Sequence, residues 1–333
     1  MMFWPKEVLV AGPVGDDSFS ENIVYTLKQM GIKPIYDERL TPGRYRSKWR
    51  MIYRQFLQKT GCTYLSSEER WLIKAAKIWK PSVFLAPTQI IQEEALLELK
   101  KAGVKACIAW LGDSPGYLTQ MGLLSNLWDI IFFKDPDAVC KFRRVGLNAH
   151  LLHEAMNPAW HKPLATQTNE GIVVAGNFYG YRQYLVRELL RHGGKLELYG
   201  GGLPRWVYPE IRRIYTGRYI VREEKSRIFG EAMACLNSTQ IIEGNSLNCR
   251  AFEIAGAGGL QLMEYKPIIP ECFEPEKEIL VFNNMEELLD HIDRAKRNPN
   301  EMKKIREAAA SRAHSEHTYM RRIEGILSLV KQL

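Results

Sequence analysis

The stretch "NCRAFEIAGAGG", residues 248–259, places one carboxylate among small and apolar residues. Glu253 lies three positions after Arg250, in a run that predicts a short, buried helix. A helix N-terminus offers unpaired backbone N–H groups and the positive end of the helix dipole, which together suit a diphosphate. An acid placed just beyond can accept both hydroxyls of a ribose. The residues therefore indicate a nucleotide site, and the alternative is a first-turn glutamate that only interacts with the helix dipole.

Loops that follow predicted strands are the places where such a ligand would bind. The runs "GNFYGYR", "YGGGLPRW" and "STQIIEGNSLN" each come at or directly after a β-rich run in the second half of the chain. In an open α/β sheet, ligands bind where the carboxyl ends of the strands lead into helix N-termini. The pattern therefore predicts a phosphate at these loops, with Glu253 beside it.

Both halves of the chain alternate short β-rich runs with amphipathic helices that end in glycine, which predicts parallel, doubly wound sheets. The first series includes "EVLVAG", "SENIVYTLKQMG", "IKPIYD", "VKACIAWLGD" and "WDIIFFKD", and the second restarts at "GIVVAGNFYG" and includes "KLELYGGG", "ACLNST" and "LQLME". Residues 154–171 lack apolar periodicity and are predicted to form a linker. The predicted fold is α/β, with two Rossmann-like doubly wound domains that face a cleft and span residues 1–160 and 170–312.

Composition excludes several classes of protein. The 333 residues exceed what one hydrophobic core usually supports, and 46% of them are apolar and 25% charged, as in ordinary globular proteins. No run approaches the ~18 consecutive apolar residues of a membrane-spanning helix. The six cysteines are far apart, which favours reduced thiols over disulfides or a zinc site. The N-terminus shows no signal-peptide pattern, so we expect a cytoplasmic protein.

One segment is far more basic than the net charge of +8 suggests. Residues 39–59 contain seven lysines or arginines and no acid, a composition that attracts phosphate, nucleic acid or an anionic membrane surface. Trp49, Ile52, Tyr53 and Phe56 recur at helical spacing among these cations, as in a helix that lies at a membrane interface. The alternative is that this apolar stripe packs on the first sheet with its cations in solvent.

From about residue 128 to 325 the sequence resembles the spore-maturation CgeB-like glycosyltransferases, a family of the GT-B group with two facing Rossmann domains. The resemblance rests on an ordered series of segments: "WDIIFFKD", "GIVVAGNF", "LELYGGG", "YTGRYIVREEKSRIFGEAMACLNST", "GNSLNCRAFEIAGAGGLQL", "EKEILVFNNMEELLDHI" and "SEHTYMRR". It implies a metal-independent enzyme without a cofactor, which moves a sugar from a nucleotide-diphosphate-sugar, foremost a UDP-sugar, to an acceptor hydroxyl or amine.

The resemblance also implies that the second domain binds the donor. Glu253 would be the ribose-binding acid of an "R-x-F-E-x-x-x-x-G" signature, with Arg250 beside the donor. Asn245 stands where many retaining relatives carry a glutamate near the sugar, and Arg182 or Arg218 would be the cation on the diphosphate. The alternative for each arginine is a side chain on a surface helix or loop. The predicted donor-binding residues are Gly176, Asn177, Arg182, Arg218, Asn245, Ser246, Asn248, Arg250 and Glu253, with Arg182 also predicted as catalytic.

The acceptor of GT-B relatives binds mostly to the first domain. Asp113 in "WLGDSP" ends a predicted strand, where it could orient an acceptor hydroxyl or act as a general base. Asp16 and Asp17, after "GPVG", share that location, and the alternative for these acids is to cap a turn. The resemblance implies that a C-terminal helix, residues 313–333, crosses back to the first domain. We expect a glycan, protein or lipid acceptor and peripheral association with the inner face of a membrane.

Two other functions fit parts of the pattern. A nucleotide-sugar epimerase can share the GT-B fold, but it needs paired acid and base groups beside the sugar, and the sequence shows no such pair. A non-catalytic protein that binds an anionic surface or nucleic acid through residues 39–59 would show steep salt dependence and no turnover of nucleotide-sugar. We expect glycosyl transfer and no nucleic-acid partner. The sequence leaves open the base, the sugar and the choice between inversion and retention.

Overall fold

The structure, a computed structural model, describes residues 4–42, 49, 52, 56, 65–87, 91–115, 121–165 and 167–333. The chain forms two α/β units, one made of Met1–His153 and Tyr319–Leu333 and the other of Glu154–Thr318. Each unit has its own parallel sheet with helices around it. The predicted fold class, α/β with two Rossmann-like units, is therefore confirmed.

The first unit is built on a six-stranded parallel sheet in the order β2-β1-β3-β4-β5-β6. Its strands are β1 Glu7–Val10, β2 Lys33–Ile35, β3 Val83–Pro87, β4 Ala106–Leu111, β5 Ile130–Phe133 and β6 Ala149–Leu151. Its helices before the second unit are α1 Phe19–Gln29, α2 Ser67–Trp79, α3 Glu93–Lys101 and α4 Pro136–Arg144. Every residue of β3, β4 and β5 is buried, because helices cover both faces of a central parallel strand.

The second unit repeats this arrangement with a five-stranded parallel sheet in the order β11-β10-β9-β7-β8. Its strands are β7 Ile172–Ala175, β8 Leu196–Tyr199, β9 Ala234–Asn237, β10 Gln261–Glu264 and β11 Leu280–Phe282. Its helices are α5 Gly180–Arg191, α6 Pro209–Ile214, α7 Arg222–Glu231, α8 Cys249–Gly256, α9 Ile269–Cys272, α10 Met285–Arg297 and α11 Pro299–Glu316. Ile172 and Val174 enter one core and Val173 and Ala175 another, because successive side chains of a strand point to opposite faces.

Both sheets share one topology. In each unit the second strand pairs with one edge of the first strand, and the third strand pairs with the opposite edge of that first strand. The strand order therefore reverses between β1 and β3 in the first sheet and between β7 and β9 in the second. In doubly wound sheets this switch point opens a crevice at the carboxyl ends of the strands, and ligands bind there.

The boundaries of the units differ from the predicted ones. They lie at 153/154 and 318/319, whereas the sequence suggested 160, 170 and 312. Met156 and His161 are fully buried, and the Met156 N–H donates to the His317 carbonyl at 2.9 Å. The first part of the predicted linker therefore belongs to the core of the second unit. Loop residues buried by tertiary contacts leave no periodic pattern, so the sequence could not distinguish them from a linker.

The last helix, α12 Tyr319–Val330, belongs to the first unit and packs against α1. The Tyr319 ring centroid lies 5.9 Å from that of Phe19 and 5.9 Å from that of Trp110, and these two rings contact edge to face at 4.7 Å. Tyr319 is only 3% exposed. This aromatic cluster joins α12 to α1 and to the central strand β4.

The basic segment 39–59 falls mostly outside the described residues. Trp49, Ile52 and Phe56 are described, and they are 81%, 56% and 61% exposed, so these three side chains do not pack on the first sheet. The interfacial helix stays a prediction. Within the described residues, no helix has the length and apolar character that a membrane crossing requires.

We expect Tyr319→Ala to lower the free energy of unfolding by about 3 kcal/mol, because the substitution removes a buried aromatic side chain. Denaturant unfolding followed by circular dichroism measures this change. Met320→Ala is the matched control, since Met320 is 39% exposed, and it should stay within about 0.5 kcal/mol of wild type. Equal stability of the two variants would contradict the role of Tyr319.

Candidate functional site

Two arginines converge on one glycine at the switch point of the second sheet. After β7 the chain turns at Gly176 with φ +115°, a conformation that glycine adopts far more readily than residues with a Cβ. A Cβ at this position would lie 2.6 Å from Nη2 of Arg250 and 2.9 Å from Nη1 of Arg182. Glycine is therefore required both by the backbone and by the approach of the two guanidinium groups.

The Arg182 guanidinium donates its hydrogen bonds to groups of the protein. Its side chain is 2% exposed; Nε donates to Ser238 Oγ at 3.0 Å, and Nη2 donates to the Ser238 carbonyl. Nη1 donates to the carbonyls of Asn177 (2.8 Å) and Ala175 (3.4 Å), and Nη2 also donates to the Tyr179 hydroxyl at 2.8 Å. An arginine has five N–H groups, and here each has an acceptor within the second unit.

The network around Arg182 connects the loop after β7 to the loop after β9. Burial lowers the pKa of Arg182 to about 10, so the guanidinium remains charged at neutral pH. The geometry differs from the predicted diphosphate contact, because no N–H group of Arg182 is left for a ligand. Arg182 is a positioning residue for the switch point.

Arg250 is the second arginine at Gly176. It is partly buried in the first turn of α8, and among the described residues its guanidinium has no hydrogen-bond or ion-pair partner. The helix begins at Asn248, whose Oδ1 accepts from the Ala251 N–H at 3.1 Å. A helix N-terminus with an unpaired arginine attracts an anion, and the guanidinium fork matches the geometry of phosphate.

The predicted amide and hydroxyl ligands lie in and before the start of α8. Asn248 and Asn237 exchange reciprocal amide hydrogen bonds at 3.0 Å. Asn245 Oδ1 accepts from the Ile268 N–H at 2.9 Å, and Ser246 is buried and donates to the carbonyl three positions earlier at 2.7 Å. Asn248 and Ser246 thus stabilise the loop that positions Arg250, whereas Asn245 keeps its amide N–H groups for another partner.

Glu253 lies one turn beyond Arg250 and is 5% exposed. Its Oε1 accepts from Lys225 Nζ at 2.9 Å and lies 3.8 Å from His161 Nε2. His161 Nδ1 accepts from the Asn157 N–H at 3.1 Å, so in the neutral ring Nε2 carries the proton and faces the carboxylate. Because Glu253 follows the first turn of α8, the helix dipole alone does not explain why a carboxylate is buried at this position.

Sequence reasoning missed Lys225 and His161. Lys225 is on α7 and Glu253 on α8, and no spacing rule relates residues on two helices that meet only through packing. The available clue is chemical: a buried carboxylate requires a cation or hydrogen-bond donors nearby, and Lys225 is a basic residue on the adjacent helix.

Arg218 follows α6, and its carbonyl accepts from the Gly200 N–H, directly after the edge strand β8, at 2.9 Å. Its side chain is 56% exposed and forms an ion pair with Glu224. The guanidinium carbon lies 5.7 Å from the centre of the Tyr199 ring. Asn177 is exposed on the neighbouring loop, and its carbonyl is an acceptor for Arg182.

The acids predicted to meet an acceptor lie at the carboxyl edge of the first sheet. Asp16 and Asp17 follow β1 with φ of 52° and 58°, a left-handed turn that aspartate tolerates better than most residues. Asp17 Oδ1 accepts from Asn22 Nδ2 at 3.0 Å, so Asp17 stabilises this turn. Asp113 follows β4 and is exposed. Its role as a base stays a prediction.

A cavity of about 360 Å³ opens at the carboxyl ends of β9 and β10 in the second unit. Tyr181, Thr239, Asn245, Glu264 and Lys266 line it. Sequence reasoning did not single out Glu264, although an acid that ends an apolar strand of a parallel sheet is a recognisable signal of a ligand site.

We expect Arg182→Ala to lower the free energy of unfolding by about 3 kcal/mol or more, because it leaves buried carbonyl groups without donors. Thermal unfolding measures the effect. Arg191→Ala on the same helix is the control, since the Arg191 side chain is 54% exposed, and it should be nearly neutral. An Arg182→Ala variant as stable as this control would show that the network does not hold the loops.

Comparisons with known proteins address both units. Residues 182–328 match the family model described as glycosyl transferase-like. HepE of Anabaena, solved in complex with UDP and glucose, has a TM-score of 0.66 at 10% identity over 98% of this chain and 100% of that chain. Sucrose-phosphate synthase from Thermosynechococcus elongatus has a TM-score of 0.64 at 12% identity over 98% of each chain. A trehalose-phosphate synthase (UDP-forming) from Burkholderia vietnamiensis has a TM-score of 0.61 at 13% identity over 99% of each chain.

A search of curated protein sequences finds no significant match. The structural neighbours share the GT-B fold and cover nearly the whole chain, and the family model covers residues 182–328, which contain Arg250 and Glu253. The CgeB-like subtype stays a prediction. The chain has the GT-B fold, and its residues 182–328 carry a glycosyl transferase-like domain.

Proposed function

We propose that the protein is a glycosyltransferase, which binds a nucleotide-diphosphate-sugar in its second unit and transfers the sugar to an acceptor hydroxyl or amine. The observation that carries the proposal is the Arg250 guanidinium at Gly176, which has no partner in the described part of the chain, with the buried Glu253 one turn further along α8. HepE of Anabaena was solved with UDP and glucose, which supports UDP as the nucleotide of this chain. The ordered sequence motifs favour a CgeB-like subtype.

The spacing of the two residues fits adjacent groups of one nucleotide. Side chains three positions apart on a helix lie on the same face, with about 5–6 Å between their Cβ atoms. Arg250 would bind the diphosphate and Glu253 the ribose that follows it. Gly176 lets the loop backbone approach the phosphate, since no Cβ stands between them.

Lys225 and Glu253 would act together on the ribose. The Lys225 side chain is 13% exposed and pairs with one oxygen of the buried Glu253 carboxylate, which offsets the unfavourable burial of that group. A carboxylate offers about four lone-pair directions, so the contact with Lys225 leaves acceptor sites for the two ribose hydroxyls. Lys225 also adds positive charge close to the diphosphate.

The transfer breaks the bond between the anomeric carbon and the diphosphate oxygen and forms a bond from that carbon to the acceptor. The nucleoside diphosphate leaves with one more negative charge than it has in the donor. Arg250, the N-terminus of α8 and the fixed charge of Arg182 are already oriented towards this charge, which is the arrangement that lowers a transition-state barrier. We assign the removal of the acceptor proton to Asp113 as a proposal.

A panel of UDP-, GDP- and dTDP-sugars tests the function directly. A donor that binds the folded protein raises its melting temperature by linkage, with about 2.7 kcal/mol of added stability at a hundredfold excess over Kd. Slow hydrolysis of the same compound would show that the site activates the sugar–phosphate bond. If none of these compounds shifts the melting temperature or is hydrolysed, the proposal is wrong.

We expect Arg250→Ala to raise the Kd of the nucleoside diphosphate roughly 10- to 100-fold, because a charge-assisted phosphate contact contributes about 1.5–3 kcal/mol. Isothermal titration calorimetry measures it. Arg213→Ala, at an exposed arginine of α6, controls for the loss of one positive charge and should change Kd less than twofold. If Arg218→Ala weakens binding and Arg250→Ala does not, the diphosphate lies at Arg218.

Glu253→Gln is expected to remove discrimination between the ribonucleotide and its 2′-deoxy analogue. Wild type should bind the ribonucleoside diphosphate about tenfold more tightly, since a carboxylate accepts from both hydroxyls, and the ratio should approach one in the variant. Glu223→Gln on α7, where the Glu223 side chain is 60% exposed, is the control and should keep the wild-type ratio. A ratio unchanged by Glu253→Gln would place the ribose elsewhere.

A further inference from the structure

The cavity at the carboxyl ends of β9 and β10 adjoins the proposed diphosphate site. β9 lies between β7 and β10 in the sheet, and neighbouring strands are about 4.8 Å apart. Two consecutive residues after β9 connect the two places: Ser238 accepts from Arg182, and Thr239 donates to Glu264. A group attached to the diphosphate would therefore reach this cavity, and its volume of about 360 Å³ has room for a monosaccharide.

Glu264 presents an unused acceptor in this cavity. Its Oε1 accepts from the N–H and the Oγ1 of Thr239, both at 2.9 Å. Its Oε2 is buried and has no hydrogen-bond partner among the described residues. A buried acceptor without a donor is unfavourable, and more so when the group is charged, so a ligand that donates to Oε2 gains affinity.

The other polar groups of the cavity can donate to a ligand. Asn245 has its Oδ1 occupied by the Ile268 N–H, which leaves the amide N–H groups available. The pKa of Tyr181 is raised by burial, by the charge of the Glu264 carboxylate and by the hydrogen-bonding proximity of the two side chains, so the phenol keeps its proton beside Glu264. Lys266 Nζ donates to the carbonyls of Gly244 (2.7 Å) and Ser246 (3.2 Å) and thereby holds the cavity wall.

We infer that Glu264 selects the sugar of the donor: its free carboxylate oxygen accepts a hydroxyl of a neutral hexose, and its charge rejects a uronic acid. The inference rests on the proposed function, because it requires a nucleotide-sugar at the switch point. A sugar hydroxyl both donates and accepts, so it can bond to Glu264 and to Asn245 or Tyr181. A sugar carboxylate brings no donor at neutral pH and meets like charge in a partly buried site, which is unfavourable.

The test compares UDP, UDP-glucose and UDP-glucuronate, with GDP and GDP-mannose as a second pair, on wild type, Glu264→Gln and Glu307→Gln. Glu307 is an exposed glutamate of α11, with its side chain 65% exposed, and controls for the lost charge. In Glu264→Gln the Kd of UDP-glucose or GDP-mannose should rise roughly tenfold, while that of the free diphosphate changes less than twofold. Wild type should bind UDP-glucuronate at least tenfold more weakly than UDP-glucose, and this gap should narrow in Glu264→Gln.

Tyr181→Phe provides a second variant that keeps the Glu264–Thr239 contacts. It should raise the Kd of UDP-glucose about threefold without changing the Kd of UDP. If Glu264→Gln weakens the binding of the nucleotide-sugar and of the free diphosphate equally, Glu264 has a structural role and the inference is overturned. An unchanged Kd of the nucleotide-sugar in Glu264→Gln would overturn the inference as well. If wild type binds the free diphosphate and the sugar makes no use of Glu264, only this inference fails. If wild type binds no nucleoside diphosphate, the proposed function fails with it.

Discussion

The candidate site depends on one buried guanidinium. Arg182 donates to the loop after β7 and to the loop after β9 at the same time, and these loops form the two sides of the switch point. A buried charge is tolerated only when its hydrogen-bonding groups are paired, so the five acceptors around Arg182 hold one another in place. Gly176, Ser238 and Tyr179 take their positions from this network, and the ligand-facing groups take theirs from these residues.

Two arginines that meet at one glycine thus have opposite roles because of their surroundings. Arg182 could reach a phosphate only by leaving buried carbonyls unpaired, which would cost more than a phosphate contact returns. Arg250 lies at a helix N-terminus and has no such partners among the described residues, so a phosphate can bind it without breaking protein contacts. Its charge is also unfavourable for Arg182, and an anion between the two would relieve that repulsion.

Much of the fold was predictable, because parallel strands covered on both faces read as apolar runs between helices that end in glycine. The predicted runs "EVLVAG" and "VKACIAWLGD" contain β1 and β4, and Glu253 was identified as a buried acid from its apolar neighbours. The sequence singled out Arg182 as a phosphate ligand and did not show its internal hydrogen bonds, since spacing places it in the first turn of α5 but does not show that its side chain folds back onto two loops. Lys225 and Glu264 depend on which helices and strand ends meet, and that information is in the tertiary structure.

Along the carboxyl edge of the second sheet, charges alternate in the proposed binding mode. Glu264 lies at the end that would hold the sugar, Arg250 in the middle and Glu253 with Lys225 at the ribose. The two ends present carboxylate acceptors to groups that carry hydroxyls, and the middle presents Arg250, a cation without a partner among the described residues. A diphosphate displaced towards the sugar end would meet the carboxylate of Glu264, and one displaced towards the ribose end would meet a carboxylate whose cation is already engaged. In this binding mode, repulsion at both ends would fix the position of an extended donor along the sheet edge, together with attraction in the middle. The bond to be broken would then lie beside the groups that stabilise the departing charge.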